Sequence, residues 1–144
     1  MSAAKEEIDL AKRFAIALDA ALFLTEHRVT IPEEHFLVAP TLLRSQMLSH
    51  LYAAVRRGDM QKRDAELRLD HLRKLRIRLL GDRVLQRHAW SIASRLDCAE
   101  TYDAEYIAVT QLQADALVTG NAELAGAAKA FVAVCPVEEM LGGG

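Results

Sequence analysis

The 144-residue chain has few of the features that mark specialised protein classes. Its two cysteines, Cys98 and Cys135, are far apart and lie outside any C-x-x-C or Cys/His pattern, so we expect each to be a buried free thiol and not part of a disulfide or zinc site. No apolar run approaches the ~20 residues that cross a membrane. Residues 1–10 lack the apolar core of a signal peptide. The sequence therefore predicts a cytoplasmic protein with no membrane partner.

Motifs of several common enzyme classes are missing as well. No serine lies in a G-x-S-x-G context, and no glycine-rich phosphate loop is present. The histidines form neither an H-E-x-x-H motif nor an i, i+4 pair, and are expected to be ordinary surface or core side chains. They are His27, His35, His50, His71 and His88. Nucleophilic serine chemistry, P-loop chemistry and helical zinc sites are therefore disfavoured.

The composition that remains is that of one globular domain, 51% apolar and 26% charged, but its charge is uneven. Residues 44–95 contain 13 Lys/Arg and 5 Asp/Glu, a balance of +8. The rest of the chain contains 18 − 13 = 5 basic and 20 − 5 = 15 acidic residues, a balance of −10. This distribution indicates a face that attracts phosphate and an acidic centre elsewhere, with ordinary solvated helix faces as the alternative.

Short apolar segments alternate with longer amphipathic ones. The predicted strands are 14–18, 36–39, 77–80, 116–119 and 132–134, and the predicted helices are 42–56, 64–75, 83–96, 102–112 and 121–130. Such alternation predicts an α/β fold with a parallel sheet. Apolar spacing within the helices predicts that one stripe, Leu43, Met47, Leu51 and Ala54, faces the core, and that Leu67, Val84 and Trp90 face it as well. The first strand has a competitor, because the alanine-rich stretch 8–24 also fits one amphipathic helix.

Polar residues occur where three of these elements begin or end. Asp19 follows the first strand, Asp103 lies at the start of a helix, and Asn121 comes just after the strand 116–119. Ligands of open parallel sheets bind beyond the carboxyl ends of the strands, so these side chains are expected to converge there. Carboxylates from separate elements suit Mg²⁺ or Mn²⁺, which can activate water against a phosphate. Asp103 has an alternative role as an acid that offsets the helix dipole, and Thr101 is then the expected cap.

Five blocks, taken in order, resemble a PIN domain of the VapC toxin type. They are LDAALFL, LVAPTLLRSQMLSHLY, LLGDRVLQRHAWSIASRL, TYDAEYIAV and ALVTGNAEL. The resemblance covers residues 13–138, with 1–12 as an N-terminal extension and 139–144 as a flexible tail. It implies a three-layer α/β/α sandwich around a parallel sheet. It also implies Mg²⁺- or Mn²⁺-dependent RNA cleavage, a homodimer and a VapB-like antitoxin partner.

The family's acidic positions carry over one by one. The first aspartate matches Asp19, and the aspartate of the YDA block matches Asp103; these two are the predicted metal ligands. The family's glutamate falls on Gln46 and its last acid on Asn121, so two of the four predicted catalytic positions carry amides. Glu100 and Glu105 are the predicted local substitutes for the two lost acids. Fewer opposing charges mean weaker metal binding.

The sequence therefore predicts a toxin-type endoribonuclease with a weakened site. Its alternative is an inactive PIN-like module that binds RNA or an antitoxin, and a third possibility is a structural dimer through helices 42–56 and 64–75. Basic residues of the central region are the predicted RNA-steering groups. They are Arg56, Arg57, Arg73, Lys74, Arg76 and Arg78.

Overall fold

The computed structural model describes residues 12–142, which form five strands and seven helices. The strands are β1 (Arg13–Ile16), β2 (Phe36–Pro40), β3 (Arg78–Leu80), β4 (Ala116–Val118) and β5 (Val134–Cys135). The helices are α1 (Leu18–Glu26), α2 (Leu42–Arg56), α3 (Lys62–Lys74), α4 (Arg83–Arg95), α5 (Tyr102–Gln113), α6 (Ala122–Ala128) and α7 (Val137–Met140).

The strands form one parallel sheet in the order β3-β2-β1-β4-β5. β1 is central, and its residues Phe14, Ala15 and Ile16 are all buried, as expected for a strand covered on both faces. Helix α5 packs against β1, β2 and β4 and against α4, whereas α1, α2 and α3 pack together. The predicted α/β fold, a three-layer α/β/α sandwich with a parallel sheet, is confirmed.

The core lies between the sheet and these helices. Its largest fully buried side chains include Ile16, Leu24, Met47, Leu51, Ile107, Leu117 and Met140. Helix α2 follows the predicted bounds and buries the predicted stripe of Leu43, Met47, Leu51 and Ala54. Apolar spacing of three and four residues on this helix was therefore sufficient to place its buried face.

The first strand is shorter than predicted. β1 ends at Ile16, and α1 starts at Leu18, so Asp19 lies in the first turn of a helix and not at the end of a strand. The alternative of a single helix over 8–24 is wrong for the described residues 12–24, because β1 pairs with both β2 and β4. Small alanines are compatible with this strand because neighbouring elements cover both of its faces.

Three apolar side chains predicted to face the core lie at the surface instead. Trp90 is 73% exposed, Val84 is 52% exposed and Leu67 is 37% exposed. The buried stripe of α4 consists of Leu85, Ala89, Ile92 and Ala93. Helix α4 therefore packs through smaller side chains than its composition suggests, and its tryptophan faces away from the core.

The two cysteines differ. Both are free; Cys135 is buried, as predicted, but Cys98 is exposed in the turn after α4, and the prediction of burial is wrong there. Burial raises the pKa of the Cys135 thiol to about 11, with a smaller contribution from the negative charge of Glu139. At neutral pH the Cys135 thiol is therefore protonated.

The ends of the predicted domain are described in part. Apart from Lys12, the predicted extension 1–12 lies outside the described residues. The predicted tail 139–144 begins inside α7, where Met140 is fully buried, so the core continues past that boundary; residues 143–144 are not described. Within residues 12–142, no helix has the length and apolarity needed to cross a membrane.

Candidate metal centre at the carboxyl edge of the sheet

Asp19 is fixed where two neighbouring strands end. β1 and β4 are adjacent, with Ile16 opposite Val118, so the residues that follow each strand meet at one edge. The Thr119 hydroxyl donates a hydrogen bond to Oδ1 of Asp19 at 2.6 Å, and the Gly120 N–H donates one to Oδ2 at 2.6 Å. Both oxygens of Asp19 are thus oriented by the segment after β4, and each keeps acceptor capacity.

Asp103 occupies the first turn of α5 and is partly buried. Burial raises the pKa of its carboxyl, and the negative charge of Glu123 raises it further. Since α6 begins just after β4, Glu123 is brought to the same edge as Asp103. The aspartate therefore lies in a region of negative potential.

Tyr106, one turn after Asp103 on α5, connects the predicted site residues. Its side chain is buried, and its hydroxyl donates a hydrogen bond to Oε1 of Gln46 at 2.6 Å. Burial raises the pKa of Tyr106, and the charges of Glu105, Asp103 and Asp19 raise it further. This hydrogen bond joins Gln46 on α2 to the helix that carries Asp103, and the charges of both aspartates act on the same hydroxyl.

Asn121 is placed at the same edge but has a structural task. It is the N-cap of α6, and its Oδ1 accepts a hydrogen bond from the Leu124 N–H at 2.9 Å. Its own N–H donates to the Thr119 hydroxyl oxygen at 3.0 Å. The amide oxygen at this predicted catalytic position is therefore engaged in capping the helix.

The local substitutes proposed for the missing acids behave differently from Glu123. Glu105 accepts a hydrogen bond from the Thr101 hydroxyl at 2.9 Å, and Glu100 is exposed. Thr101 makes no side-chain cap of α5, contrary to the prediction. Glu123 was missed, although its position in the first turn after the strand-end Asn121 was a usable signal.

The donor set suits a hard divalent cation that keeps some of its water. Within residues 12–142, no Lys, Arg or His forms an ion pair with Asp19 or Asp103. In the same residues, no group of three or more His, Cys, Asp and Glu side chains is arranged to hold a metal. Asp19 and Asp103, which have no basic partner in that range, are the two carboxylates available to Mg²⁺ or Mn²⁺, and such ions can bind through one or two carboxylates and water.

The raised pKa of Asp103 predicts a pH dependence of stability in metal-free protein. A raised carboxyl pKa favours the protonated folded form, so stability falls as pH rises from the unfolded value of 3.8 through the higher folded pKa. Asp103→Asn removes this penalty. We expect the metal-free variant to have the higher melting temperature at pH 7, with the advantage shrinking towards pH 3. Thermal melts in EDTA across this range check the prediction; an unchanged or lower melting temperature at pH 7 contradicts it.

Comparison with known proteins identifies the fold and nothing finer. No model of a known protein family matches the chain, and no curated protein matches it significantly. The chain is similar to the crystal structure of PAE2754 from Pyrobaculum aerophilum, with 23% identity and a TM-score of 0.65. The similarity covers 90% of this chain and 94% of that one. At this identity the likeness establishes a shared fold.

Proposed function

We propose that this protein is a metal-dependent endoribonuclease of the VapC toxin type, with a weakened acidic site. The observation that carries the proposal is the placement of both aspartates relative to the sheet: Thr119 and Gly120 hold Asp19 at the carboxyl edge, and Asp103 lies in the first turn of α5, which packs on β1 and β4. Ligand sites of open parallel sheets lie at this edge. The α/β/α fold and the five sequence blocks that resemble a PIN domain support the same conclusion.

In this proposal Asp19 and Asp103 would hold Mg²⁺ or Mn²⁺. The bound cation would supply a Lewis acid for a phosphate oxygen and a water of lowered pKa. Gln46 accepts a hydrogen bond from Tyr106 through Oε1, which leaves its NH₂ group to donate to a phosphate oxygen. Thr119 keeps Asp19 oriented by donating a hydrogen bond to its Oδ1.

Three of the predicted RNA-steering cations lie near the amino edge of the sheet. Lys74, Arg76 and Arg78 line a cavity together with Arg13 and Phe36, the first residues of β1 and β2, and so lie away from the carboxyl edge. These cations are poorly placed to guide RNA to Asp19.

Exposed cations at the carboxyl edge are better placed for this task. Helix α4 begins just after β3, which brings Arg83 and Arg87 close to that edge. Arg83 and Arg87 border a shallow cavity of about 290 Å³ beside the exposed Trp90. An exposed indole flanked by arginines is a typical stacking surface for single-stranded RNA.

A second candidate function is an inactive PIN-like module that binds RNA or a VapB-like antitoxin. One observation favours it: both amide oxygens that replace the family's acids are engaged within the protein, by Tyr106 and by the Leu124 N–H. Homodimerisation belongs to the same proposal. Leu48 and Tyr52, one turn apart on α2, are 57% and 63% exposed and could be covered by a second copy or by an antitoxin.

Manganese-dependent cleavage of a 5′-labelled RNA of mixed sequence tests the proposal. We expect the wild type to cleave the RNA at millimolar Mn²⁺. Asp103→Asn should lower the cleavage rate by more than the roughly 10–100-fold that loss of an outer-shell partner of a metal costs. Asp64→Asn is the matched control, because Asp64 also lies in the first turn of a helix, α3. Cleavage that persists in Asp103→Asn contradicts the assignment. No cleavage by the wild type, with activity gained in Gln46→Glu/Asn121→Asp, supports the inactive module.

A further inference from the structure

A second candidate site lies at the amino edge of the sheet, opposite the carboxylates. It is a cavity of about 810 Å³, bordered by Arg13 at the start of β1, Phe36 at the start of β2 and Gln113 at the end of α5. Asp103 and Gln113 lie ten residues apart on α5, which separates the two sites by about 15 Å along the helix axis. A volume of this size fits a small organic ligand and exceeds what a lone phosphate needs.

The polar wall of the cavity is strongly basic. Four of its side chains are cationic, Arg13, Lys74, Arg76 and Arg78, and Glu33 is the acid among them, a balance of 4 − 1 = +3. Within residues 12–142, no side-chain nitrogen of these four cations lies within 4.0 Å of a carboxylate oxygen, whereas the Arg13 backbone N–H donates a hydrogen bond to Asp115 at 2.9 Å. Cations gathered around one cavity without acidic partners are suited to a phosphate.

Arg76 holds its position at a conformational cost. Its φ is +54°, in the left-handed region, and it comes directly after Leu75, the C-cap of α3. Glycine is the usual residue at this position of a helix end, because it adopts this conformation without strain. Arg28 and Asp97 adopt the same conformation directly after the C-caps of α1 and α4, so Arg76 is assigned to the cavity by its position in the wall and not by its backbone.

The remaining wall is apolar and aromatic. Val29, Ile31 and Leu75 border the cavity, and the Phe36 side chain is 60% exposed beside them. His35 is also in the wall, with its ring packed edge-on against Phe14. The exposed aromatic ring of Phe36 offers a base a stacking surface.

We propose that this amino-edge cavity binds a nucleoside phosphate. The phosphate would be held by Arg76, Arg78 and Lys74, and the base would lie against Phe36. A free mononucleotide and the terminal nucleotide of an RNA present the same chemistry. The proposal does not depend on the metal centre, because no residue of that centre borders the cavity.

Calorimetric titration of the full chain tests the proposal with AMP, adenosine and inorganic phosphate as probes. We expect AMP to bind at least about tenfold more tightly than adenosine or inorganic phosphate, since AMP contacts both the basic and the apolar wall of the cavity. Arg76→Gly should weaken AMP binding about tenfold, the equivalent of one charge-assisted contact. The same variant should not lower the melting temperature, because glycine relieves the backbone strain.

Arg28→Gly is the matched control. Arg28 is also an arginine with positive φ, +49°, but it does not border the cavity, so AMP binding should equal that of the wild type. Asp103→Asn should leave AMP binding unchanged even if it abolishes cleavage. Tighter binding of a 5′-phosphorylated tetranucleotide than of AMP identifies an RNA end as the ligand, and equal or weaker binding identifies the free nucleotide. AMP binding no tighter than phosphate, or unaltered by Arg76→Gly, overturns the proposal.

Discussion

Restoring the two missing carboxylates together, with Gln46→Glu and Asn121→Asp, is expected to raise Mn²⁺ affinity by about 100- to 1,000-fold. A carboxylate ~4 Å from a divalent ion contributes roughly 2 kcal/mol even at the dielectric constant of water, and mutual repulsion of the acids offsets part of the gain. The surroundings accept both changes. The Tyr106 hydroxyl, which donates to Gln46, can donate equally to a carboxylate at position 46. Aspartate caps a helix as well as asparagine does, so α6 keeps its N-cap.

Calorimetry with Mn²⁺ measures this gain. Gln111→Glu serves as the control, because Gln111 is exposed near the far end of α5 and adds a charge away from the centre. A doubly restored protein that binds Mn²⁺ no more tightly than the wild type would show that the two amides are not the cause of a weak site.

Ile107→Ala is expected to lower the free energy of unfolding by about 2–5 kcal/mol, the usual range for large-to-small changes at fully buried sites. Ile107 is fully buried on α5, the helix that packs on three strands and carries both Asp103 and Tyr106. Loss of its side chain leaves a cavity that the surrounding sheet and α4 fill only in part. Urea denaturation followed by circular dichroism gives the value.

Trp90→Ala provides the contrast. Although tryptophan is the larger side chain, Trp90 is 73% exposed, and its truncation should change the free energy of unfolding by no more than about 0.5 kcal/mol. The same variant should weaken binding of single-stranded RNA if the indole stacks on bases. A stability loss as large as that of Ile107→Ala would mean that Trp90 is packed inside the protein.

The fold could be predicted from the sequence wherever a segment carried a single strong pattern. Helix α2 has a single apolar stripe, Pro40 ends the strand before it and Gly58, with φ of +84°, follows it, so its limits were correctly predicted. Helix α4 has apolar residues on two faces, and hydrophobicity could not tell that Trp90 faces solvent while Ala89 is buried. The boundary between the short β1 and α1 was misplaced, because alanine is compatible both with a helix and with a strand buried on both faces.

The candidate centre was accessible only in part. Asp19 and Asp103 follow from their positions at element boundaries, but Thr119 acts through its contact with Asp19 on α1, and Tyr106 through its contact with Gln46 on α2. Such contacts depend on which strands lie side by side in the sheet, and a single sequence does not reveal that order. The amino-edge cavity was still harder to predict from sequence, since its walls come from β1, the loop before β2, the end of α3 and the end of α5.

Titration of Mn²⁺, followed by the relaxation of water protons, tests most directly whether Asp19 and Asp103 share one cation. Wild type, Asp19→Asn and Asp103→Asn are compared, with Asp64→Asn as the control that removes one charge from the first turn of another helix. The two-aspartate centre predicts one saturable Mn²⁺ site in the wild type and the control, and its loss in each of the other two variants. Binding at wild-type affinity in either Asp19→Asn or Asp103→Asn would contradict a shared centre.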